Sequence, residues 1–203
     1  MEQKRRATLL SLAALGLSLL TVLGGGSWWF LVRQRLSEEL RTALRQDDYA
    51  AVRTLVRRGA GVNTTDDPDY GDVGITPLEL AVSHQDVAFA RKLLVRGADA
   101  DPMTIEGITP LLTAASWGPT AIIPDLLREG ADPNVNHNQG FTPLMGAAKR
   151  GDAEAVRLLL QSGARVEATD QRGYTALAYA KPNVASLLRA AASPPSAKPA
   201  AHP

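Results

Sequence analysis

Four stretches decide the fold: GITPLELAVSHQ at 74–85, GITPLLTAASWG at 107–118, GFTPLMGAAKRG at 140–151 and GYTALAYA at 173–180. Their leading glycines, Gly74, Gly107, Gly140 and Gly173, follow one another at a constant step. A second marker keeps the same step, with Gly97-Ala98, Gly130-Ala131 and Gly163-Ala164 closing the runs RKLLVRGA, PDLLREGA and VRLLLQSGA. Two markers in register over several periods mean one supersecondary unit repeated, because such a unit buries its apolar face only by stacking on its neighbours.

The chemistry of one unit follows from its residues. Thr76, Thr109, Thr142 and Thr175 stand where a hydroxyl can cap a helix N-terminus, and the proline after the first three fits the first helical position, where no N–H is needed. Leu78 with Ala81, Leu111 with Ala114, Leu144 with Ala147 and Leu177 with Ala180 are three apart, an apolar stripe with small residues for close helix packing. A second helix carries the Leu-Leu pair and ends at Gly97, Gly130 or Gly163, which can take the left-handed conformation that stops a helix. Polar residues then turn the chain into the next unit.

These residues resemble the ankyrin repeat family, whose pattern G-x-T-P-L-H-x-A-A-x-x-G followed by L-L-x-x-G-A-x-x-N recurs about every 33 residues. The resemblance covers roughly residues 37–191 and implies an all-α ankyrin repeat solenoid, with hairpin-like loops and a concave face that binds other proteins. The units fall near 37–65, 74–103, 107–136, 140–169 and 173–191, inside a repeat domain of 33–191. The histidine after T-P-L is replaced by Glu79, Leu112, Met145 and Ala178, so its hydrogen bonds are missing or replaced. The first unit, SEELRTALRQDDYAAVRTLVRRGAGVN, lacks T-P-L and suits a cap. Five extra residues make TTDDPDYGDVG a long finger. Pro124, five residues after Pro119, is expected to shorten or kink the second helix of its unit. The last unit is a truncated cap, and ASPPSAKPAAHP at 192–203 is expected to be a disordered tail.

Ahead of the repeats, the chain from Ala7 to Val32 runs without a single charge. As a helix it would rise roughly 39 Å against about 30 Å of hydrocarbon, long enough to span a bilayer. Lys4, Arg5 and Arg6 in the basic start at 1–6 precede it, and Trp28, Trp29 and Phe30 stand near its far end, the layout of one transmembrane signal-anchor helix. A signal peptide cut before Ser27 is the alternative; it would release a secreted or periplasmic inhibitor, chaperone or structural partner. Charges on the two sides nearly balance, so orientation leans only on the N-terminal cluster, towards a single-pass protein with an extracytoplasmic repeat domain.

The 203 residues carry 22 Lys plus Arg against 21 Asp plus Glu, which leaves no global field for a nucleic acid. With no cysteine and three histidines, disulfides, thiolate chemistry and Cys/His metal clusters fall away. Asp66, Asp67, Asp69 and Asp72 miss the spacing of a calcium loop. His84 and His137 sit in different units without a paired carboxylate at ligand spacing. No catalytic motif occurs, so neither enzyme activity nor a cofactor is expected.

The repeat pattern leaves some positions free, and in the family these face the concave surface. Here they read Ile75, Ile108, Phe141 and Tyr174 before the threonine; His84, Trp117, Lys149 and Arg150 after the alanines; and Asp72, Glu106, Asn138, Gln139 and Arg172 in the loops. Trp, Tyr and Arg most often dominate interface energies. The competing reading packs Phe141 and Tyr174 on adjacent loops and lets Trp117 fill the gap beside the proline-disturbed helix. Acidic residues at one end and basic ones at the other favour a protein partner of reversed polarity.

Overall fold

A computed structural model describes residues 29–66, 74–137 and 139–192. The apolar stretch expected to cross a membrane lies outside these residues up to position 28, as do the tail from 193 onward, Asp72 and Asn138. Among the described residues no helix is long and apolar enough to cross a membrane.

The described chain is all-helical apart from turns and one isolated bridge residue, Met103. Helix α1 covers 29–45, and α2 (Tyr49–Arg57) pairs with it. The following pairs are α3 (Pro77–Ser83) with α4 (Val87–Val95), and α5 (Pro110–Ser116) with α6 (Ile123–Arg128). Then come α7 (Pro143–Arg150) with α8 (Ala153–Gln161), and α9 (Ala176–Tyr179) with α10 (Pro182–Ala192).

Capping explains where the first helices start. The hydroxyls of Thr76, Thr109 and Thr142 accept from the backbone N–H of Glu79, Leu112 and Met145 at 3.2–3.3 Å. Three of the second helices begin at aspartates instead: Asp48, Asp86 and Asp152 accept from the first-turn N–H groups of α2, α4 and α8. Carboxylates there also meet the positive end of the helix dipole. Thr175 departs from expectation, because it makes no side-chain cap bond and α9 is only four residues long. Pro182 enforces that brevity by opening α10 so soon afterwards.

Pro124 shortens its helix without kinking it. A 3-10 turn over Thr120–Ile122 precedes α6, which places Pro124 in the first turn, where its missing N–H leaves nothing unpaired. The core is a column repeating with the sequence period. Leu78, Leu111 and Leu144 from the first helices and Leu93, Leu126 and Leu159 from the second are at most 1% exposed. Each such leucine contributes about 2 kcal/mol of burial. Ala81, Ala114 and Ala147, fully buried between them, let the helices approach closely.

Candidate functional site

The loops between units form one repeated hairpin. The N–H groups of Thr104, His137 and Asp170 donate to the carbonyls of Ile108, Phe141 and Tyr174 at 2.9–3.0 Å. The N–H groups of Gly107, Gly140 and Gly173 close each turn onto the first residue of its hairpin. Gly140 must be glycine on two counts: its φ is +78°, and a Cβ would come within 3.0 Å of the Asp170 Cα. Identical turns one repeat apart put Ile108, Phe141 and Tyr174 at matching positions, and Ile75 joins them through Asp66, whose N–H donates to the Ile75 carbonyl at 3.1 Å.

Two grooves lie between these loops and the first helices, and they share Ile108 and Trp117. The first, about 420 Å³, is lined by Asp47, Asp66, Glu79 and Glu106 together with Ile75, Leu80, Ile105 and others. The second, about 360 Å³, is lined by His137, Gln139, Phe141, Lys149, Asp170, Arg172 and Tyr179. Trp117 is 56% exposed on the boundary, so it does not fill a gap beside the proline-disturbed helix. Phe141 is half-buried and meets Tyr179 edge-to-face at 5.4 Å, and Tyr174, 49% exposed, meets the same ring at 5.9 Å. The two rings therefore pack on one neighbour, Tyr179 of α9, rather than on adjacent loops, and Tyr174 keeps half its surface open.

Charge is uneven between the two grooves, although most of the acidic finger, 67–73, lies outside the described residues. Lys149 and Arg172 line the second groove, where Asp170 is occupied by the Tyr179 hydroxyl and the N–H groups of Arg172 and Tyr174. Arg150 is placed differently. Its guanidinium turns inward to the carbonyls of Ala114 and Gly118, the Thr120 hydroxyl and the Asp152 carboxylate, clasping the third unit to the fourth. His84 stacks on Tyr49 at a centroid distance of 4.5 Å and reaches the Asp47 carboxylate at 3.3 Å. His137 accepts from the Gln139 N–H through Nδ1. Among the described residues no three His, Cys, Asp or Glu side chains gather as a metal site would require.

Glu79 was read from the sequence only as a replacement of the family histidine and not as a residue of the site. It takes the place of the family histidine, is 8% exposed, and accepts from the Thr113 hydroxyl through Oε1 at 2.6 Å. Its Oε2 has no hydrogen-bond partner among the described residues. Burial pushes the carboxyl up to about 7, against the opposing effect of the Thr113 bond. A glutamate inside an otherwise apolar helix face, between Leu78 and Leu80, was the available signal.

A family model described as ankyrin repeats (3 copies) matches residues 40–137 and 121–194. The chain belongs to the ankyrin repeat family. Ankyrin repeats are protein–protein interaction modules, and that class of role follows for this chain. A comparison with curated proteins finds no match.

Proposed function

We propose that the chain is a non-catalytic docking protein that holds another protein along its concave face, tethered to a membrane by residues 7–32 with the repeats on the extracytoplasmic side. The observation that carries the docking reading is Trp117. A large aromatic side chain, more than half exposed, stands where an acidic groove meets a basic one. Aromatic anchors within polarised surroundings supply affinity at the centre and orientation at the ends. Support for the tether is the uncharged run itself, whose last part carries the exposed Trp29, Phe30 and Leu31 of α1.

Photo-crosslinking from the full-length chain in its native cells tests the docking face. A reactive residue at position 117 or 174 should give a discrete adduct, and one at Arg157, exposed on α8 and outside the hairpin loops, should not. Adducts from 157 alone, or a 174 adduct unaffected by Trp117→Ala, would overturn the reading. Protease protection with intact-mass analysis tests the tether: a soluble chain beginning near Ser27 would refute it.

A further inference from the structure

The first groove is built for one kind of chemical group. Asp47, Asp66, Glu79 and Glu106 line it and, among the described residues, no lysine or arginine does, while Ile75, Leu80, Ile105, Ile108 and Trp117 supply apolar wall. Glu79 is more than nine-tenths buried, with one carboxylate oxygen bonded to Thr113 and the other, Oε2, left without a hydrogen-bond partner among the described residues. A buried acceptor in that condition is costly, and filling it with a donor recovers the cost.

We infer that this groove is a socket for a lysine side chain of the docked protein, its ammonium paired with the carboxylate of Glu79, which lines the groove and keeps one oxygen unpartnered among the described residues, and its four-carbon stem lying along Ile105, Ile108 and Trp117. The inference rests on the concave face being the docking surface. Lysine fits better than arginine because only one oxygen of Glu79 is free. A guanidinium fork makes its strong pairing with both oxygens of a carboxylate, whereas an ammonium is a point charge that one oxygen can satisfy. The indole face of Trp117 attracts the same cation, and the apolar wall accepts the methylene stem.

The surrounding charges agree. Asp66 already accepts the Ile75 N–H through Oδ1 at 2.7 Å, so it contributes field more than a bond, and Arg45 donates to the Asp66 backbone carbonyl at 2.7 Å. Asp47 faces His84, and Glu106 is exposed with no partner among the described residues. The packing partner of Glu79 on α5 is Thr113, which carries no charge. Because the Glu79 carboxyl titrates at about 7, acid closes the socket by placing a proton on the acceptor. The ionised fraction falls about tenfold between pH 8 and pH 6, and the apparent affinity for an ammonium falls with it.

The test is an NMR titration of the 15N-labelled full-length chain in detergent micelles with n-butylammonium, against n-butylguanidinium and n-butanol. Saturable shifts of the Trp117 indole and the Ile105 and Ile108 amides are expected with n-butylammonium. Binding should be several-fold weaker with the guanidinium, absent with butanol and about tenfold weaker at pH 6 than at pH 8. Glu79→Gln, which keeps shape and the Thr113 contact, should abolish saturation. Trp117→Ala, at an exposed position that leaves folding intact, should weaken it as read from the Ile105 and Ile108 amides. An equal response to butanol or to the guanidinium, or unchanged binding in both variants, would overturn the socket. The probe needs no partner, so its failure leaves crosslinking from positions 117 and 174 to judge the docking face separately.

Discussion

The Thr113 hydroxyl donates to Glu79 Oε1 at 2.6 Å, joining α5 to α3 through a carboxylate that is almost wholly sealed from water. Its carboxyl titrates at about 7 in the folded chain against an ordinary 4.5, so at intermediate pH the folded state holds a proton that the unfolded chain has released. Stability from this group therefore rises as pH falls. A penalty of roughly 3 kcal/mol is complete above pH 7 and gone below about 4.5. Urea unfolding at pH 8 and pH 5 should show greater stability at pH 5, and Glu79→Gln should flatten the difference. The same rise in both proteins would sink the assignment.

Asp101 is in the wrong chemical form for its place. Asn63 and Asn134 each donate Nδ2 to the carbonyl of a helix-ending glycine in the next unit, Gly97 and Gly163, and each accepts an N–H two residues beyond that glycine. Asp101, at the corresponding position, accepts the Asp132 N–H at 3.3 Å but has no amide to donate, and its Oδ1 is buried without a partner among the described residues. Burial pushes its carboxyl up. Asp101→Asn should stabilise the chain by about 1 kcal/mol at neutral pH, seen as a higher urea midpoint at unchanged slope.

Arg150 acts as a clasp. Arg150→Ala strands the Ala114 and Gly118 carbonyls and leaves Asp152 without its cation, at an expected cost of about 2–4 kcal/mol. Burial works against the ionised Asp152 carboxyl, but the Thr120 hydroxyl, the Ala155 N–H and Arg150 outweigh it and hold the carboxyl at about 2. Stability from that group is present above about pH 4 and is lost as pH falls through 2. NMR titration of the Asp152 carboxyl should show an upward shift in Arg150→Ala; an unmoved titration with unchanged stability would refute the clasp.

Gly118 is required by space. A Cβ there would lie 2.8 Å from the Ala114 Cα and 3.1 Å from the Thr113 carbonyl oxygen, both of them backbone that cannot swing aside. Gly118→Ala should destabilise by about 1–3 kcal/mol, measured as a lower thermal midpoint. The exposed neighbour change Trp117→Ala should stay within about 0.5 kcal/mol of the parent.

Much of this was legible from spacing alone. The constant step between glycines located the units, the threonine-proline pair located three helix starts, and the glycine-alanine pair located helix ends. The shortening at Pro124 was readable too, because a missing N–H is a local fact. Thr175 shows the limit: its motif looks like its siblings, yet the proline at position 182 cuts the helix short and the cap bond never forms.

The candidate site was legible in part. Trp117, Phe141, Lys149 and Arg172 were picked out because they occupy positions the repeat leaves free, and the structure lines the two grooves with them. Arg150 occupies such a position as well, but most of its partners belong to the preceding unit, which only folding brings alongside. The sequence by itself determined a stacked helical scaffold and the polarity along its face, since both follow from periodic spacing and from which charges fall in which loop. Which polar groups turn inward and which oxygen is left without a donor was decided by tertiary structure, because burial and hydrogen-bond satisfaction depend on neighbours a full repeat apart.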